Sequence, residues 1–91
     1  EIPQNVSLEQ LYPNPFNPEI SIPITLPNEM STQIMVYDVQ GRLVEILLNN
    51  DHMTAGSHMI HWNAESFASG IYFVRIQTPL GTDVRKAYLI K

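Results

Sequence analysis

Ile20, Ile22, Ile24 and Leu26 alternate with Ser21, Pro23 and Thr25, a period of two that puts the apolar set on one face of a β-strand. Pro23 lacks a backbone donor, which predicts an edge strand or a bulge at that point. Gln33–Asp38 and Leu43–Leu48 read as strands flanking Val39–Arg42, where Asp38 and Gly41 suit a tight hairpin and Gly41 supplies a positive φ. Asn49–Gly56 reads as a polar loop, Ser57–Asn63 as a short strand and Ala64–Gly70 as a loop. Ile71–Thr78 is rich in β-branched and aromatic residues and is the strongest strand. Pro79–Thr82 reads as a turn around Gly81, and Val84–Ile90 closes the chain. The opening run Val6–Leu11 completes seven strands. Leu43–Asn50 would make only two helical turns, too short to stand among extended neighbours. Seven short strands in 91 residues imply an all-β fold, an immunoglobulin-like antiparallel β-sandwich of about seven strands. Trp62, alternating with Ile60, belongs in its core.

Ninety-one residues make one domain, with residues 1–7 a linker or lead-in to the first strand. Hydrophobic residues form 44% of the chain, enough for a folded core and too many for a disordered tail. The absence of cysteine excludes disulfides and thiolate metal sites. A net charge of −4 with no run of Lys or Arg argues against nucleic acid and against an anionic membrane surface, both of which call for a basic stripe. The longest apolar run falls far short of the ~18 residues a membrane span needs, so direct membrane insertion is not expected. Because the chain opens with Glu1 and its last strand-like run ends at Lys91, it is expected to be a C-terminal piece of a longer or processed protein.

The segment Leu11–Pro18 reads LYPNPFNP. Its prolines hold the backbone stiff and extend their predecessors Tyr12, Asn14 and Asn17. Tyr12 and Phe16 are the expected core anchors, and Asn14 and Asn17 are expected to bond neighbouring backbone in Asx-type turns. A rigid first strand and corner is the reading these residues favour over a polyproline ligand for a partner's groove.

Catalytic chemistry finds little support. His58 and His61, three apart on a predicted strand, point to opposite faces and cannot chelate one ion together, with His52 in a loop nearby. A triad of Ser57, His58 or His61, and Glu65 can be drawn on paper, but no nucleophile motif accompanies it. Asp38, Asp51 and Asp83 fall in predicted loops without the ligand spacing of a calcium site. The four glycines are isolated, so there is no phosphate loop. No metal, no cofactor and no enzymatic activity are expected.

Five pieces stand in order and spacing: Tyr12-Pro-Asn-Pro-Phe-Asn-Pro18, Val36-Tyr-Asp-x-x-Gly-Arg-Leu-Val44, Ala55-Gly-x-His58 with Trp62-Asn63, Ser69-Gly-Ile-Tyr-Phe-Val74, and a closing Lys86–Lys91 strand. Over residues 8–91 this arrangement resembles the C-terminal sorting domains of the type IX secretion system, and it shares much with the immunoglobulin-like domain of the flagellar hook-capping protein. The resemblance implies a non-catalytic domain appended to upstream cargo in Bacteroidota and related bacteria. It implies passage through the periplasm, recognition by the outer-membrane translocon, and encounter with a sortase-like peptidase at the cell surface. It also marks Gly70, Tyr72, Val74, Lys86 and Lys91 as candidate translocon-recognition positions. Pro13, Asn14, Pro15, Phe16, Asn17, Pro18, Tyr37, Asp38, Gly41, Arg42 and Trp62 are family-motif positions with structural roles. Ile20 stands where Thr often follows the proline motif, and Asn63 where Asp is usual, which loosens any assignment of lineage. The alternatives are a carbohydrate-binding module, whose mark would be an exposed Trp62 beside Tyr37 or Tyr88, and a structural or assembly module, whose mark would be a self-complementary edge or a large apolar patch.

Overall fold

The computed structural model describes residues 6–91, apart from the side chain of Ser7; residues 1–5, most of the expected lead-in, lie outside the described residues. Six long strands and one two-residue strand follow in order: β1 (Ser7–Leu8), β2 (Glu19–Leu26), β3 (Met30–Asp38), β4 (Leu43–Met53), β5 (Gly56–Asn63), β6 (Gly70–Thr78) and β7 (Gly81–Leu89). They form a three-stranded sheet, β1-β2-β5, packed on a four-stranded sheet, β4-β3-β6-β7, with antiparallel pairing within each. The expected all-β sandwich is the fold.

Alternation builds the core. Ile20, Ile22 and Ile24 of β2 face Ile34 and Val36 of β3, Tyr72, Val74 and Ile76 of β6, and Ala87 and Leu89 of β7, all buried, and Leu26 is buried at the end of β2. Each fully buried Ile, Leu or Val contributes about 1.5–3 kcal/mol relative to exposure. Trp62 of β5 closes one end of this core.

Pro23 does not sit on an edge strand; β2 is the middle strand of its sheet. The missing donor instead faces the opening segment. Glu9 N–H donates to the Pro23 carbonyl at 3.0 Å, and Pro23 has no N–H to return. Pairing resumes at Tyr12 and Ser21, which exchange both bonds at 3.2 and 2.8 Å. From Glu9 to Tyr12 the first strand takes three steps while β2 takes two, so the extra residue is a bulge. This is why β1 stops at Leu8 instead of running from Val6 to Leu11, and why the buried residues Leu8 and Leu11 are three apart.

Two further boundaries differ from expectation. The polar run Asn49–Met53, read as loop, continues β4, and its last three residues pair with Met30, Ser31 and Thr32. An extra residue between the Thr32↔Asp51 and Ile34↔Leu48 pairs is absorbed where Asn50 takes φ 57°, a conformation Asn tolerates better than most residues. The last hairpin turns on Pro79 and Leu80, not around Gly81, which already pairs with Thr78. Asp38, Asp51 and Asp83 consequently sit on strands and not in loops. The Val39–Arg42 hairpin is as expected: Gly41 has φ 82° and its N–H donates to the Asp38 carbonyl at 3.0 Å.

Candidate functional site

The marked segments gather at one end of the sandwich, except Ala55-Gly-x-His58, which lies at the other end opposite Leu26 and Ile24. The register runs Asp38 to Tyr72 to Ala87, and Gly70 lies opposite Leu89. This places the β3–β4 turn, the start of β6 and the end of β7 side by side. The proline segment joins them through a parallel bridge between Phe16 and Leu89.

The free edge of β7 is where the segment docks. The Asn14 amide donates to the Lys86 carbonyl at 2.9 Å, and its side-chain oxygen accepts the Tyr88 N–H at 2.9 Å. Phe16 then donates its N–H to the Tyr88 carbonyl at 2.8 Å and accepts the Ile90 N–H at 3.0 Å. A carboxamide carries one donor and one acceptor in peptide geometry, so Asn14 imitates a strand neighbour. These four bonds close the 86–90 part of an edge that would otherwise template pairing with another chain. Asn14 therefore does not make the local Asx turn expected of it, because its partners lie 72 and 74 residues away. Prolines 13, 15 and 18 need no donors in this arrangement, and the Pro18 carbonyl accepts the Ala64 N–H at 2.8 Å. Pro13, Pro15 and Asn17 are exposed.

Of the two expected anchors, only Phe16 is buried. Tyr12 is half exposed, because its bridge partner Ser21 occupies an outward position of β2 and carries the ring to the outer face. Phe16 packs on Trp62 with centroids 5.6 Å apart; Trp62 also meets Phe67 at 5.6 Å and Tyr72 at 5.4 Å in an edge-on contact. Such pairs contribute about 0.5–1.5 kcal/mol beyond area. The Tyr72 hydroxyl donates to the Ala68 carbonyl at 2.7 Å, tying the loop before β6 to the core as tyrosine corners do in sandwiches. Trp62 Nε1 is buried with no partner among the described residues.

The candidate recognition positions divide accordingly. Tyr72 and Val74 face the core. Gly70 opens β6 on an exposed stretch, and Lys86 is exposed on β7. Lys91 binds the loop before β6 twice, its N–H to Ser69 Oγ at 3.0 Å and its ammonium to the Glu65 carbonyl. Phe67 and Ala68 were not singled out from the sequence, and Ser69 stood there only as the first residue of a motif; a loop without periodicity carries no signal for such contacts.

Asp38 caps the neighbouring turn. Its carboxylate accepts the Arg42 and Gln40 N–H groups at 3.0 and 2.9 Å and the Arg42 guanidinium at 2.9 Å. The Arg42 N–H bond is the chief cause holding its pKa below the ordinary aspartate value, aided by the guanidinium and Gln40. Tyr37, adjacent, is half-buried on the outer side.

The histidines are engaged separately. His58 Nε2 lies 2.8 Å from the Thr54 carbonyl, His61 Nδ1 lies 3.3 Å from Ser21 Oγ, and His52 meets Glu29 at 2.9 Å. Among the described residues no three His, Asp or Glu side chains converge as metal ligands. A depression of about 250 Å³ lined by Val6, Leu80, Gly81, Thr82 and Asp83 falls below the ~300–1,000 Å³ usual for small-molecule clefts.

No curated protein and no solved structure matches the chain. A family model described as the secretion system C-terminal sorting domain matches residues 10–91, a span that takes in the proline segment, the aromatic cluster and the capped last strand. The chain therefore belongs to the type IX secretion C-terminal sorting domain family.

Proposed function

We propose that the domain is a non-catalytic export address, read as a folded shape by the type IX translocon on behalf of cargo joined upstream. In this reading the cargo crosses the periplasm and the outer membrane, and a sortase-like peptidase at the cell surface then acts on the domain. Gly70, Lys86 and Lys91 present the recognised end, while Tyr72 and Val74 serve it by holding the last two strands in place. The observation that carries the reading is the capped edge of β7: Asn14 and Phe16 join the proline motif to the closing strand, so these two motifs, far apart in the sequence, form one surface.

Burial of Trp62 takes away the exposed tryptophan that would mark a carbohydrate-binding module. The test is export of a reporter protein fused upstream of Glu1 in a host with a working type IX system and in a translocon-deficient strain. Export confined to the competent host supports the address. A folded domain whose reporter stays in the periplasm of the competent host would overturn it.

A further inference from the structure

The two outer faces of the sandwich differ in kind. On the three-stranded sheet the outward positions carry a polar ladder broken by Pro23 opposite Met59, with Ser21 against His61 at 3.3 Å, Thr25 against Ser57 at 3.4 Å and Asn63 against Glu19 at 3.3 Å. On the four-stranded sheet the outward positions are largely apolar. Tyr37 pairs across to Phe73 and Leu43, Met35 to Ile46, and Ile71 to Tyr88. Leu43, Ile46, Ile71, Val84 and Tyr88 are between 38% and 48% exposed, so the apolar residues form a connected surface and not isolated spots. Contiguous exposed apolar surface of this kind marks interaction sites, and aromatic residues, Met and Arg are the types enriched in them.

The charges on that face narrow the occupant. Arg75 lies between Met35 and Val84 in register, and Lys86 lies beside Phe73. Neither forms an ion pair among the described residues, whereas Arg42 and Arg85 are paired with Asp38 and Asp83. The outward positions of β3, β6 and β7 hold no carboxylate. Two unpaired cations set among exposed aromatic and aliphatic side chains call for an apolar surface bearing carboxylates.

We infer that the outer face of the four-stranded sheet docks a protein partner whose contact surface is apolar and acidic, and, resting on the export reading above, that this partner belongs to the export machinery. A second copy fits poorly, because a two-fold pairing through this face would set one cationic face against another that carries the same Arg75 and Lys86 and brings no carboxylate at the outward positions of β3, β6 or β7. An anionic membrane fits poorly as well, since two cations on a chain of net charge −4 fall short of the clusters of about 4–8 Lys and Arg that hold proteins to such surfaces.

The test compares the reporter fusion carrying Arg75→Glu with Lys86→Glu, or Phe73→Ser, with the same fusion carrying Met59→Glu on the opposite sheet. Thermal melting of each purified 91-residue chain checks folding, and the reporter replaces any natural upstream chain that could pack on the face. The expected result is a fall in export of about tenfold or more for variants on the four-stranded face, with melting retained, and unchanged export for Met59→Glu. Charge reversal that leaves both export and melting unchanged would overturn the docking face while leaving the export reading intact. A parent fusion that is not exported would overturn both. Sedimentation showing a dimer that Phe73→Ser dissolves, or flotation with phosphatidylglycerol vesicles that Arg75→Glu with Lys86→Glu abolishes, would assign the face to a second copy or to lipid and overturn it.

Discussion

The side-chain oxygen of Asn14 accepts the N–H of Tyr88 at 2.9 Å, 74 residues further along the chain, on the edge of the last strand. Its amide donates to the Lys86 carbonyl on the same edge. Replacing Asn14 by Ala leaves both strand groups without their partner and is expected to cost about 1–3 kcal/mol in urea unfolding. Asn14→Asp keeps the acceptor for Tyr88 but sets a carboxylate against the Lys86 carbonyl, so it should recover little of that loss.

Trp62→Ala is expected to destabilise by about 3–5 kcal/mol, since it empties the space shared by Phe16, Phe67 and Tyr72. Trp62→Phe should cost less than half as much, because it keeps an aromatic ring there and removes the unpartnered Nε1–H. Equilibrium denaturation followed by circular dichroism separates the two.

Tyr72→Phe keeps the ring against Trp62 and loses only the hydroxyl bond to the Ala68 carbonyl. A loss of about 1 kcal/mol is expected. The 64–69 loop should respond most, with faster amide exchange at Ser69 and Gly70 than at Val74.

Asp38 gives the hairpin an acid-sensitive contact. Its folded pKa is lowered, first by the Arg42 N–H, so its contribution is complete above the unfolded value and is lost as pH falls through the folded one. The difference in melting temperature between the parent and Asp38→Asn should be constant from about pH 5 to 8 and shrink below about pH 4. A difference that grows on acidification would contradict this assignment.

Much of the fold is legible in the residues themselves. In β2 every inward position is Ile or Leu and every outward one polar or Pro, so strand, face and core follow together. The tail of β4 is illegible for the opposite reason: it runs along an edge, its Asn and Asp side chains meet solvent, and no period survives. The break in β1 depends on Pro23 in the neighbouring strand, which no window around Leu8 can reveal. The proline motif and the last strand were each marked by resemblance. Their union rests on the Asn14 carboxamide and the Phe16 backbone reaching a strand edge, long-range contacts that local pattern does not encode.

That union is the central claim, and the direct measurement is export of the upstream-fused reporter by Asn14→Ala, Phe16→Ala and Tyr72→Phe, each plotted against the folded fraction of the same purified domain at the assay temperature. Export that falls in step with the folded fraction is the predicted result. Efficient export of variants that are mostly unfolded would show a linear signal in the last residues and contradict recognition of a folded shape.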